Sequence, residues 1–130
     1  RNAAAEHTPS LFVGSAGTGS LLHIDQYCSN FWMFLAQGRK QWTVFHRDDA
    51  GLLSPIFDRK AFMPRFPPVE ALMSDPQTRE DAANARRLDF VLEAGEVLFV
   101  PHGTPHEVAN LTTTVAISAN FFDQSNVKAA

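Results

Sequence analysis

The chain has a single cysteine, Cys28, so neither an internal disulfide nor a cysteine-based zinc cluster can hold it together. It has no apolar run near the ~20 residues that a helical bilayer span needs. Charge is sparse, at 19% of residues, and no sign dominates: 11 Lys and Arg against 14 Asp and Glu leave a formal −3. Composition therefore offers no basic surface for nucleic acid and no membrane segment. No methionine or signal-peptide pattern stands at Arg1, which reads as a piece excised from a longer protein. Compartment and oligomeric state are not legible, and repeats and low-complexity segments are absent.

What is present suits one packed domain of 130 residues: 45% hydrophobic residues, with 11 phenylalanines among short apolar runs. Aromatic and β-branched residues favour pleated, half-buried surfaces. Strands are expected at Leu11–Val13, Leu21–Asp25, Phe31–Leu35, Gln41–Phe45, Phe90–Leu92, Val97–Val100, Glu107–Ala109 and Thr114–Phe122. Turn residues separate most of them, so the pattern predicts an all-β antiparallel sandwich, jelly roll or small barrel. Asp75-Pro76 reads as a helix start and Arg86-Arg87 as its end, giving one surface helix inserted between strands. Three prolines in Met63-Pro64-Arg65-Phe66-Pro67-Pro68 exclude a central strand there and leave a loop that can rim a pocket.

The chemistry-bearing residues begin at His23-Ile24-Asp25. On a strand, positions i and i+2 share a face, so His23 and Asp25 point into one cavity. A third ligand is available after the strand ending at Pro101, from His102 or His106. His106 opens the next strand, whose wall can fix its rotamer, and is the better ligand; His102 starts a turn and suits a surface or rim role. Zinc would accept this set, whereas two imidazoles and one carboxylate with open positions suit non-haem iron(II). Lys40 shares a face with Trp42 and Val44 by alternation. Turned inward, its ammonium needs an anion; turned outward, it is a solvated charge. Phe31, Phe34, Phe99 and Trp42 are candidates for an apolar lining or for ordinary core.

The ordered set His23-x-Asp25, Lys40, Gly95-Glu96-Val97-Leu98-Phe99-Val100-Pro101 and His106 resembles the JmjC family of cupin-type dioxygenases. The stretch Asn110–Phe121 is especially similar to the phosphatidylserine-receptor-type subgroup, described as lysyl hydroxylases and arginine demethylases. The resemblance runs from about Leu11 to Phe122. It implies a double-stranded β-helix (cupin-like jelly roll), residues 1–130 forming a single JmjC domain, that uses Fe(II) and 2-oxoglutarate. It implies His23, Asp25 and His106 as catalytic metal ligands. It places Lys40, Ser20, Ser118 and Asn120 around 2-oxoglutarate. Met33 stands where a relative has an asparagine, which Asn30 would replace after a register shift. Thr104-Pro105 replaces a pair of tryptophans. The implied partner is a protein or peptide substrate, most readily a lysine or methylated residue, entering over Met63–Val69 and Thr104–Pro105. An intracellular setting, the nucleus included, is compatible with the resemblance. A catalytically silent module and a metal-binding cupin that never meets 2-oxoglutarate stay open as alternatives.

Overall fold

The computed structural model describes residues 9–124. Eight strands run β1 Ser10–Gly14, β2 Gly19–His23, β3 Asn30–Gln37, β4 Arg39–Phe45, β5 Arg87–Glu93, β6 Val97–Val100, β7 His106–Asn110 and β8 Thr114–Phe121. They form two four-stranded antiparallel sheets, ordered β1-β8-β3-β6 and β2-β7-β4-β5. Chain neighbours mostly lie in opposite sheets, which is the winding of a double-stranded β-helix. Sequence and structure agree on the strands and on the all-β class.

Alternation sorts the side chains. Phe31, Met33 and Leu35 of β3 turn inward and meet Trp42, Leu92, Val100 and Ala116 in a buried cluster between the sheets. Leu35 and Trp42 are almost wholly withdrawn from water. Each such side chain contributes ~1.5–3 kcal/mol of burial. Phe34 and Phe99 fall on the opposite face; Phe99 is 52% exposed and packs on Phe121 rather than lining a cavity. That part of the lining expectation is corrected for both residues. Gly38 joins β3 to β4 at φ +90, a left-handed conformation, and a side chain there would run into the Thr113 carbonyl.

The single expected helix is two short ones, α1 Val69–Ser74 and α2 Arg79–Asn84. Pro76 disfavours helical backbone at the residue before it. Asp75 is accordingly extended (φ −81, ψ 121) and closes α1 instead of opening a helix. Its carboxylate accepts from the Gln77 amide, turning the chain into α2. Nor is this a bare surface element. Ala82 and Ala85 are buried with Leu72, Val69, Phe66 and Leu53 against Leu22 of β2 and Phe45 of β4. The alanines let the helix approach closely. The helices thus pack on the outer face of the β2-β7-β4-β5 sheet at Leu22 and Phe45.

Candidate metal centre and adjoining cavity

His23 ends β2, His106 begins β7, and the two face each other in the ladder. Their rings lie 4.3 Å apart. The β2–β7 register slips by one residue between Ser20 and His23. This irregularity strands the Leu22 amide, and the Glu107 carboxylate accepts from it at 3.1 Å. The same oxygen accepts from the Val69 amide, tying β2 to the start of α1. Glu107 thus fixes the backbone next to His23, a role no sequence spacing indicated.

Asp25 lies beyond the end of β2 and not within it, in extended backbone (φ −62, ψ 143) leading into a short 3₁₀ turn, Gln26–Cys28. Extended geometry still carries its side chain to the histidines. His23 Nε2 and His106 Nε2 each lie 3.3 Å from Asp25 Oδ1. Asp25 Oδ1 is thus close to both imidazoles at once, as an ion shared by the three side chains would require. All three ligand atoms lie within 4.8 Å of one another.

The imidazoles are fixed from behind. His23 Nδ1 donates to the Leu21 carbonyl at 2.7 Å and His106 Nδ1 to the Thr104 carbonyl at 2.8 Å. Carbonyls only accept, so both protons belong on Nδ1 and both Nε2 lone pairs face the shared centre in the neutral rings. Where Nε2 carries a proton in place of a metal it donates to Asp25 instead; burial opposes charge on that carboxyl, but these hydrogen bonds from His106 and His23 outweigh it and hold the group well below the usual range. Its other oxygen accepts from Asn120 Nδ2 at 2.8 Å, and Asn120 also donates to Ser29 Oγ. Asn120 therefore orients a ligand carboxylate.

A cavity of about 370 Å³ adjoins the triad between the sheets and is lined also by Lys40, Ser20, Ser118 and Asn120. Phe31, Met33, Trp42 and Val108 form its apolar walls. Lys40 is 7% exposed, so the inward alternative holds. Its Nζ donates to Asn110 Oδ1 at 2.7 Å, and no carboxylate pairs with it among the described residues. Burial pushes its pKa down from the ordinary lysine value. Asn110 also accepts from Thr114 Oγ1 and donates to Thr18 Oγ1, so it organises this end of the cavity. Asn110 and Thr18 carried no sequence signal, since only strand register brings them to Lys40.

Three expectations change. Asn30 does not line the cavity; its carboxamide oxygen accepts from the His102 amide at 2.9 Å and holds the turn after β6. No register shift brings it to Met33, which keeps its own place in the wall. Thr104 and Pro105 lie away from the triad's openings: Pro105 is fully buried, and Thr104 lines a separate groove with Arg47 and Arg86. The other alternative for the third ligand, His102, points its Nε2 at Arg47 (3.2 Å) and takes no part in the triad.

The sequence is similar to those of known proteins. The model of the family described as a cupin-like domain matches residues 2–127. The chain is 28% identical over 128 residues to the arginine-specific demethylase JMJ22 of Arabidopsis thaliana, covering 90% of this chain and 23% of that protein. It is 31% identical over 117 residues to the human 2-oxoglutarate and iron-dependent oxygenase JMJD4, covering 90% of this chain and 27% of that one. With the HSPB1-associated protein 1 of Rattus norvegicus, identity is 32% over 111 residues, covering 85% and 23%. The chain thus spans about a quarter of the length of these relatives. With its two wound sheets and its His-Asp-His centre, the chain belongs to the cupin-like domain family, as a domain of the JmjC type.

Proposed function

We propose that this domain is the catalytic part of an Fe(II)- and 2-oxoglutarate-dependent oxygenase that oxidises a C–H bond of a protein side chain. By the resemblance, that side chain is a lysine or an N-methylated residue. The observation that carries the reading is Lys40: a buried ammonium with no carboxylate partner among the described residues, in a cavity that reaches the metal triad. An unpaired buried cation costs stability, so its presence calls for an anionic ligand. A silent module or a metal-only cupin has no use for it. Trp42 adds a buried indole N–H with no acceptor on the wall of the same cavity.

His23 Nε2, Asp25 Oδ1 and His106 Nε2 would hold the iron. Lys40 would pair with the far carboxylate of 2-oxoglutarate, with the Ser20 and Ser118 hydroxyls beside it. Bound there, iron and 2-oxoglutarate supply O2 chemistry in which one oxygen atom enters succinate as CO2 leaves and the other enters the substrate C–H bond. The protein contributes orientation and dryness. Asn120 keeps the Asp25 carboxylate aimed, the Nδ1–carbonyl bonds keep both imidazoles aimed, and Phe31, Met33 and Trp42 keep water from the reacting centre. Hydroxylation of a side-chain carbon and removal of an N-methyl group follow the same course, the second ending in loss of formaldehyde. Succinate formation from 2-oxoglutarate by the purified protein with Fe(II) and lysine or methylarginine peptides tests the proposal. Turnover that disappears in His106→Ala supports it; an iron-loaded protein that forms no succinate with any peptide or alone overturns it.

A further inference from the structure

A second, larger cleft of about 770 Å³ opens over His23 and Asp25 and extends to the loop between Ile56 and Arg65. We propose that this cleft receives the substrate as an acidic peptide segment with an apolar side chain near the residue to be oxidised. The inference rests on the oxygenase reading above and adds the chemistry of the sequence that flanks the target.

Charge is the first argument. Lys60 and Arg65 line the cleft, and Asp25 is its sole lining carboxylate among the described residues. Asp25 is already committed to two imidazoles and Asn120. Asp58 lies 3.9 Å from Arg65 but does not line the cleft, and its carboxylate is further engaged by the Lys60 amide. Among the described residues no carboxylate pairs with the Lys60 ammonium. A strongly basic segment would meet two cations and no free acid; an acidic one would meet two partners.

Apolar surface is the second. Tyr27 and Phe62 stand 5.8 Å apart with tilted rings, 62% and 86% exposed, although both line the cleft. Aromatic rings left in water beside a concave site are suited to an apolar anchor from a partner. Tyr27 is held at φ 57, a backbone conformation that non-glycine residues seldom adopt. The opposite wall is braced by reciprocal backbone hydrogen bonds between Ile56 and Arg65, at 2.7 and 2.9 Å. Lys60 and Arg65 are thus presented by a structured loop. Two cations on a chain of net charge −3 do not make the continuous basic track that a nucleic-acid backbone requires.

The test is fluorescence anisotropy with labelled lysine-centred peptides that share one phenylalanine and differ in flanks, Asp/Glu against Lys/Arg, and with an RNA oligonucleotide. The acidic peptide is expected to bind on the order of tenfold more tightly at low salt, an advantage that shrinks as salt is raised. Lys60→Glu combined with Arg65→Glu should reverse the preference, and Phe62→Ala should weaken both peptides while leaving the preference in place. Equal binding, a basic preference in wild type, an acidic preference that survives the double reversal, or tighter binding of RNA overturns the proposal. Binding is read without turnover. A protein that makes no succinate yet keeps the acidic preference therefore contradicts the oxygenase reading and leaves the cleft's peptide preference standing.

Discussion

Replacing Lys40 with methionine separates ligand binding from folding, because the two effects have opposite signs. Methionine keeps an unbranched apolar stem of similar length and removes the ammonium. In the free protein that ammonium is buried, with Asn110 Oδ1 its hydrogen-bond partner and no carboxylate paired with it among the described residues. Its removal relieves an uncompensated cation, and Asn110 Oδ1 keeps the Thr114 hydroxyl at 3.0 Å. Stability should hold or rise. For 2-oxoglutarate the variant loses a charge-assisted contact of about 1.5–3 kcal/mol, which is ~10- to ~150-fold in Kd. Isothermal titration of the Mn(II)-loaded protein with 2-oxoglutarate measures the second effect, and urea unfolding of the metal-free protein measures the first. Unchanged 2-oxoglutarate affinity would refute the role given to Lys40. A loss of more than ~1 kcal/mol in stability would show that the lysine is an ordinary structural contact.

Asn120→Ala removes one of the bonds that aim Asp25 and should weaken metal binding by roughly 10- to 100-fold with the fold intact, read by competition with a metallochromic chelator. Glu107→Ala leaves the Leu22 and Val69 amides without their shared acceptor and should cost ~1–3 kcal/mol in denaturant unfolding. Glu107→Gln, which retains a side-chain oxygen, should recover much of that; a variant series with no difference between the two would dismiss the bridge. Asp49 is held down to about 2 by hydrogen bonds from the Arg86 side chain and backbone amide. A depressed folded-state value stabilises the fold above the ordinary carboxylate value of 3.8, and that contribution is lost as pH falls through about 2. Asp49→Asn should therefore lower the melting temperature near neutral pH and match wild type near pH 2; a pH-independent gap in calorimetry would contradict this.

The pairing of His23 with Asp25 was legible because its geometry is local. A two-residue spacing brings His23 and Asp25 to one side, and His106 begins a strand whose wall fixes it, whereas His102 sits in a turn held by Asn30. Lys40 was readable as far as its face, since alternation with Trp42 and Val44 survives in β4. Asn110, Thr18 and Glu107 were not readable, because strand register and a one-residue slip bring them to their partners, and neither is written in any short segment. The Asp75-Pro76 pair misled for a physical reason: the same residues that start a helix also stop one, and Pro76 acts on the backbone before it. Phe34 and Phe99 misled because both faces of β3 and β6 are apolar, so composition did not say which face turned inward.

Anaerobic Fe(II) titration of wild type, His106→Ala and His102→Ala reads whether His23, Asp25 and His106 hold one iron. The expected result is one tightly bound ion in wild type and in His102→Ala, with a visible absorption band appearing on addition of 2-oxoglutarate, and neither signal in a folded His106→Ala. Iron retained by His106→Ala, or lost from His102→Ala, would contradict it.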